Sequence, residues 1–374
     1  MTFSVPIPED VIIQIIDQLD RSTLSQCSTV ARSFLRPSQQ RLFHTIVLPC
    51  HRRQCRNLHA LLTQSPHIVP YVKTLSVYVI FSRSGAKIMQ TMDLTEPTLP
   101  SIIGMLSALK SFAFISVPHE PLNWGSFSPA LQASLLALFQ LPSLTCIEIN
   151  QGKFPLSVFS RSIQLKELRL PGCDLDPSLD TNDLATDVLA LPRLETFTIE
   201  PGTLGLAHLE RLPAVVDISH LRELVWTDSD IESLSVVKVL TSRCAHSLER
   251  LRWTVPEPYG NAYPTNTDLS IPLNLRCLEV SAWNPWEEYS SANPFIWAFK
   301  ALKALVPERH KVPSLLENLV MDITTLHCDD FSMREIAGNV FWDELHTVLT
   351  SGILGHTHDE KATSLAPAGE LVLD

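Results

Sequence analysis

The chain has 374 residues, more than one hydrophobic core usually supports, so its length predicts two domains or one elongated repeat array. Apolar residues make up 45% of it and charged residues 18%, which excludes a disordered chain. The formal net charge of −11 argues against a general nucleic-acid or anionic-membrane binder, because the chain has no excess of cations to displace counterions.

Cysteine usage and hydropathy predict where the protein resides. The eight cysteines are scattered and too sparse for a disulfide scaffold in a chain of this length. No run of 18 apolar residues predicts a transmembrane helix, and the first residues lack the basic-then-apolar layout of a signal peptide. We therefore expect a soluble, reduced protein of the cytoplasm or the nucleus.

The first predicted helix carries an unusually broad apolar face. Pro8 can occupy its first turn, and Glu9 and Asp10 suit the positive end of the helix dipole. The apolar positions follow helical spacing over an arc of about 140°, which Ile13 extends to about 200°. They are Val11, Ile12, Ile15, Ile16 and Leu19. This surface exceeds what one small neighbour would cover.

Two further short helices are predicted before residue 48. Asp20 and Ser22 offer a break and a new N-cap, and Pro37 can start a third helix. Three short helices in about 40 residues form a very small core. We expect this unit to gain stability by packing on the next domain, on another chain, or on both.

The segment "IPEDVIIQIIDQL…STLSQCSTVARSF…QRLFHTIVL" resembles the F-box motif, especially the fungal version with a leucine-rich-repeat-like body. The resemblance covers roughly residues 5–48. The motif positions are Ile7, Pro8, Asp10, Leu19, Leu24, Val30, Ala31, Arg32 and Phe34. The main departure is Phe34, where a tryptophan is commoner, and it reduces the contact area available to a partner.

The resemblance implies docking to a Skp-type adaptor, which joins an F-box protein to a cullin ubiquitin ligase. The residues it assigns to the adaptor interface are Ile7, Pro8, Ile12, Ile15, Ile16, Leu24, Val30 and Phe34. From periodicity alone, the same helix also fits a capping element that shields the end of the body. The two interpretations are compatible, because one face can pack on the body while another meets a partner.

The rest of the chain repeats the template L-x-x-L-x-L with conservative replacements. The nine copies start at residues 72, 109, 144, 165, 194, 221, 248, 275 and 316. The middle copies follow one another at about 27 to 29 residues, the spacing of leucine-rich repeats. The copy "LKELRLPGCDL" extends the match to Cys173 and Leu175 in the ninth and eleventh places.

The template predicts strands with alternating faces, so Leu168 and Leu170 should point inward while Glu167 and Arg169 point outward. Helical spacing predicts returning helices around residues 57–64, 129–144, 183–194, 232–244 and 293–305, and strand–loop–helix repetition predicts a parallel sheet. The fold class is therefore α/β: a three-helix F-box-like unit (5–48), a degenerate leucine-rich-repeat solenoid with a curved parallel sheet and outer helices (49–350), and a C-terminal tail (351–374). Trp226 and Trp253 should stack inside neighbouring repeats.

The resemblance implies a substrate-recognition subunit that performs no bond chemistry itself. We expect a protein substrate to meet the outward strand positions, which mix both charge signs. They are Glu148, Glu167, Arg169, Glu223, Arg250, Arg252 and Glu279. The alternatives are an interaction scaffold that never enters a ligase, and a small-molecule receptor or enzyme built on the repeat body.

Motifs of enzyme and cofactor chemistry are missing from the sequence. No phosphate-binding loop, dinucleotide fingerprint, zinc-protease or nucleophile-elbow motif occurs. Cys50, His51, Cys55 and His59 lie close together, but their spacing fits no common zinc finger. We therefore expect no catalytic, metal or cofactor site, and neither nucleic acid nor membrane as a partner.

Overall fold

The computed structural model describes residues 7–79, 82–84, 87–89, 98–116, 121–176, 191–201, 209–227, 233–255, 274–284 and 317–325. They form an α/β structure built on a large parallel sheet. The chain divides into two compact units, Met1–Leu221 and Arg222–Asp374.

Short helices precede and connect the strands. In the first unit they are α1 (Glu9–Asp17), α2 (Arg21–Val30), α3 (Arg32–His44), α4 (Arg52–Gln64), α5 (Thr98–Met105) and α6 (Pro129–Phe139). Single 3-10 segments occupy Pro66–Tyr71, Trp124–Ser126, Leu156–Arg161 and Leu212–Ala214. The second unit contains α7 (Ser233–Arg243). No helix in these ranges has the length and apolarity needed to traverse a bilayer.

The strands of the first unit are β1 (Thr45–Pro49), β2 (Thr74–Val79), β3 (Ser82–Ser84), β4 (Lys87–Met89), β5 (Ser111–Ser116), β6 (Leu122–Asn123), β7 (Cys146–Asn150), β8 (Gly152–Phe154), β9 (Glu167–Leu175) and β10 (Thr196–Pro201). They pair in parallel in the order β1-β2-β5-β7-β9-β10, with β8 beside β9 and β6 beside β8. Only β3 and β4 pair antiparallel among the described strands.

The second unit repeats this arrangement with four strands. They are β11 (Glu223–Thr227), β12 (Arg250–Val255), β13 (Cys277–Asn284) and β14 (Asn318–Thr325). Each pairs in parallel with the next along the chain. Parallel pairing of successive strands requires a crossover between them, and α7 provides one between β11 and β12.

All nine strands predicted from the template are present, and each begins two residues after the first template position. The template that starts at Leu165, for example, yields β9 from Glu167. The returning helices expected around residues 57–64, 129–144 and 232–244 correspond to α4, α6 and α7. The helical return expected at 183–194 lies mostly outside the described residues, and the one at 293–305 wholly so. The template missed β1, the hairpin β3–β4, and the short strands β6 and β8.

The alternation of strand side chains follows the prediction. Leu168 and Leu170 are fully buried, whereas Glu167 and Arg169 lie on the opposite face. Trp226 and Trp253 occupy facing positions of β11 and β12, and both indoles are fully buried. These tryptophans therefore belong to the core of the second unit, as expected.

One detail of the N-terminal region differs from the sequence prediction. The third helix begins at Arg32 and contains Pro37 within it, because extended backbone at Ala31 ends α2 and α3 starts immediately afterwards. Residues 48 and 49, between which the sequence predicts the boundary of the helical unit, both belong to β1, and the boundary itself stays a prediction. The predicted tail, 351–374, lies outside the described residues.

Candidate functional site

Helix α1 divides its apolar residues between the interior and the surface. Ile12 and Ile16 are each 2% exposed and form a small core with Leu24 of α2. Leu19, Cys27, Phe34 and Leu42 are partly buried against this core. The three helices thus seal one side of α1 by themselves.

The other apolar residues of the helical segment remain on the surface. Ile15 is 40% exposed and Val30 is 75% exposed. The full exposed set is Ile7, Val11, Ile13, Ile15, Val30 and Leu35. Single exposed apolar side chains are common, but here five lie within three short helices and Ile7 lies just before the first of them.

Helix α2 is anchored by its N-cap. Asp20 Oδ1 accepts hydrogen bonds from the backbone N–H groups of Ser22, at 2.8 Å, and of Thr23, at 2.9 Å. The backbone bond from Thr23, followed by the bonds from the Ser22 and Thr23 hydroxyls, favours the carboxylate and lowers the pKa of Asp20 from 3.8 to about 2. The cap fixes the start of α2 and therefore the position of Leu24 against α1.

The predicted adaptor-binding residues fall into two groups. Ile7, Pro8, Ile15 and Val30 are exposed and Phe34 is half-buried, so these side chains are available to a partner. Ile12, Ile16 and Leu24 lie in the helical core and are not available on this surface. They position the exposed group, and adaptor contact by either group stays a prediction.

The predicted substrate-binding residues of the first unit lie together on its outward sheet face. The register places Glu148 of β7 beside Arg169 of β9, with Oε2 3.8 Å from Nη1. Arg169 Nε also donates to Glu167 Oε1 at 2.6 Å. The guanidinium of Arg169 thus interacts with two carboxylates on the same face.

The predicted residues of the second unit are paired in the same way. Arg250 Nη1 lies 3.9 Å from Glu223 Oε1, across β11 and β12. Arg252 Nε lies 2.8 Å from Glu279 Oε2, across β12 and β13. Neighbouring side chains therefore satisfy most of the charge that these positions would offer to a substrate.

Three exposed apolar side chains on the strands were missed by the sequence reasoning. Val47 of β1 is 51% exposed and Tyr78 of β2 is 37% exposed, and both point away from the core. Val320 of β14 is 46% exposed. Outward positions of alternating strands are usually polar, so an apolar residue at an outward position was the signal in the sequence.

The thiol of Cys146 on the sheet is not activated for nucleophilic chemistry. Cys146 lies on the outward face between Ser111 and Glu167, and burial raises the pKa of its thiol to about 11. At neutral pH this thiol stays protonated and is a poor nucleophile.

Cys50 and Cys55 are buried with their Sγ atoms 3.8 Å apart. Across the described ranges, no three His, Cys, Asp or Glu side chains cluster closely enough to hold a metal ion.

The chain matches no protein-family model, and a comparison with curated proteins finds no similar sequence.

Proposed function

We propose that this chain is the substrate-recognition subunit of a Skp–cullin–F-box type ubiquitin ligase. In this proposal, α1 to α3 form an F-box-like unit that docks on a Skp-type adaptor. The strands and helices that follow form a leucine-rich-repeat-like solenoid that binds a protein substrate. The chain would accelerate ubiquitin transfer by holding two proteins close together.

One observation carries the proposal: α1 has apolar residues on two faces, and its own chain covers only one of them. Ile12 and Ile16 meet Leu24, whereas Val11 and Ile15 lie about 100° further round the helix and stay exposed. A helix that only capped the body would bury its apolar face and present polar residues outward. The second apolar face supports the docking of another protein.

The body supports the proposal through its regularity. Nine strands start at the same place in nine copies of one template, and successive strands within each unit are parallel neighbours. Cys173, in the ninth place of the fullest copy, is buried and donates its S–H to the carbonyl of Ile149 on β7 at 2.9 Å. This bond links one copy of the template to the preceding copy, and contact between neighbouring repeats is what holds a stacked repeat array together.

The adaptor-binding arm is tested with Ile15→Asp in the full chain. Because Ile15 is exposed, the charge should leave folding intact but place a carboxylate in the apolar docking face. We expect at least a tenfold weaker affinity for a purified Skp-type adaptor, measured by pull-down and calorimetry.

The matched control is Ile163→Asp, the same substitution at a residue that is 62% exposed and lies outside the helical segment. It should bind the adaptor like the wild type, and both variants should keep the thermal transition of the wild type. Unchanged binding by Ile15→Asp would remove this face from the interface. A wild-type chain that fails to bind the adaptor would favour the interaction scaffold.

A further inference from the structure

The outward face of β1, β2 and β5 changes its chemistry from one end of the strands to the other. The strand register aligns its side chains in three rows, and the residue before each strand lies at the amino edge of the face. From the amino end, the rows are Thr45, Thr74 and Ser111; Val47, Ser76 and Ala113; and Pro49, Tyr78 and Ile115, and the edge residues are His44, Lys73 and Lys110. We refer to these twelve residues as the amphipathic face.

The amino edge of the amphipathic face is cationic. The backbone N–H of Lys73 donates to the His44 carbonyl and that of Lys110 donates to the Lys73 carbonyl, so the two lysines immediately precede adjacent strands about 4.8 Å apart. Neither ammonium group has a carboxylate within ion-pair distance among the residues that the structure describes. Lys166, at the equivalent place before β9, has its Nζ 2.7 Å from Glu195 Oε1.

The carboxyl end of the amphipathic face is apolar and open. Tyr78 and Val47 are exposed, and Ile115 is half-buried beside Tyr78. Tyrosine is a frequent anchor of protein interfaces because it offers a large apolar ring and a hydroxyl at low conformational cost. In the middle of the face, Ser76 is half-buried and Ala113 is buried.

The charge of the surrounding segment has the opposite sign to that of the whole protein. From Arg21 to Ile147 the sequence has eleven Lys and Arg residues against three Asp and Glu, a formal net charge of +8 in a chain of −11. Neither β1, β2 nor β5 contains an acidic residue. An approaching carboxylate therefore meets no like charge on these strands, whereas Glu148 and Glu167 on the following strands would repel it.

We infer that the amphipathic face binds an extended acidic–apolar segment of a protein partner. The inference rests on the proposed function, since it names the class of substrate that the body would hold. Tyr78 is five positions after Lys73, which corresponds to about 17 Å of extended chain. A segment lying along the strands would place Asp or Glu near Lys73 and Lys110, and an aromatic or aliphatic side chain about five residues away against Tyr78.

The test uses a phage-displayed library of random 12-residue peptides panned on the purified full chain. We expect the enriched peptides to carry Asp or Glu about five residues from an aromatic or aliphatic residue. The best peptide is then synthesised with a fluorescent label, and its affinity is measured by anisotropy. Failure to enrich any peptide, or enrichment of peptides without this pattern, would overturn the inference.

Three variants locate the binding site of the selected peptide. Lys73→Gln with Lys110→Gln should weaken binding about tenfold and abolish its salt dependence. Tyr78→Ala should weaken it about fivefold or more. The matched control Lys166→Gln removes a lysine that is already paired with Glu195, and it should change the affinity less than twofold. Equal affinities for the double variant and the control would contradict the inference.

Two further measurements distinguish a peptide ligand from a nucleic acid, and substrate binding from adaptor binding. A labelled oligothymidylate that binds through Lys73 and Lys110 more tightly than the peptide, and independently of Tyr78, would assign the face to nucleic acid instead. The peptide measurements contain no adaptor, and the adaptor measurements contain no peptide. Loss of adaptor binding and loss of peptide binding are therefore separate results, each bearing on its own proposal.

Discussion

Arg252 and Glu279 face each other across β12 and β13, with Nε 2.8 Å from Oε2. The pair lies on the sheet surface, where water screens the attraction and the side chains lose rotamer freedom. Arg252→Gln and Glu279→Gln, alone and together, should give a coupling free energy of about 0.2–1 kcal/mol in denaturant unfolding.

The pair Arg250 and Glu223 is the natural comparison, because its closest charged atoms are 3.9 Å apart on the same face. Its coupling should be smaller, and raising the salt concentration should reduce both. A larger coupling for Arg250 and Glu223 would show that the distances do not rank these ion pairs.

The helical segment should respond very differently to the same substitution at Ile12 and at Ile15. Ile12→Ala removes buried methylene and methyl groups next to Ile16 and should cost about 2–4 kcal/mol. Ile15→Ala changes an exposed side chain and should cost about 0.5 kcal/mol or less. Native-state hydrogen exchange of the amides in α1 to α3 measures both, and similar losses of protection would contradict the placement of Ile12 in the core.

Stability of α2 should depend on pH through Asp20. Its folded-state pKa of about 2 is below the ordinary 3.8, so the unfolded chain takes up the proton first as the pH falls. The carboxylate's contribution is therefore complete well above pH 3.8 and is lost as the pH falls towards 2. Side-chain carbon NMR should report a midpoint near 2, whereas a midpoint near 3.8 would mean that the cap is not formed.

Asp20→Asn is the control for this titration. The amide oxygen can still accept from Ser22 and Thr23, but it does not titrate. Hydrogen exchange in α2 should then be less sensitive to pH below about 4 than in the wild type.

Two glycines should respond in opposite directions to alanine. Gly172 in β9 has φ +65°, and a Cβ there would collide with the Gln151 side chain, so Gly172→Ala should cost about 1–2 kcal/mol. Gly104 lies in α5, where an added Cβ would meet no atom within 4 Å, so Gly104→Ala should gain about 0.4–1 kcal/mol. Denaturant midpoints measure both changes, and a stabilised Gly172→Ala would contradict this backbone conformation.

The strands could be predicted because their signal is local. Alternation such as that of Leu168, Arg169 and Leu170 specifies a buried and an outward face without knowledge of any neighbour. Strand β1 was missed although "FHTIVL" fits the same template from Phe43 with Ile46 and Leu48 in the inward places. Its first residues continue the apolar pattern of a helix, so the two periodicities overlap there.

The candidate sites were only partly predictable because they depend on distant segments. Helical spacing predicts a broad apolar arc on α1, but which part is buried depends on where α2 places Leu24. Likewise, outward charges such as Glu148 and Arg169 could be assigned to a face, whereas their mutual pairing follows from the register of β7 and β9. Periodicity along one segment contains no information about register between segments.

Helix α3 ends at His44 and β1 begins at Thr45, so no loop residue separates them. The backbone N–H of Lys73 also bonds to the His44 carbonyl, which ties this junction to the next strand. The helical segment is therefore joined to the sheet directly through α3, without an intervening loop. The distance between a protein bound to α1 and a protein bound to β1 and β2 would therefore depend on how α1 packs on α2 and α3, and not on the length of a linker.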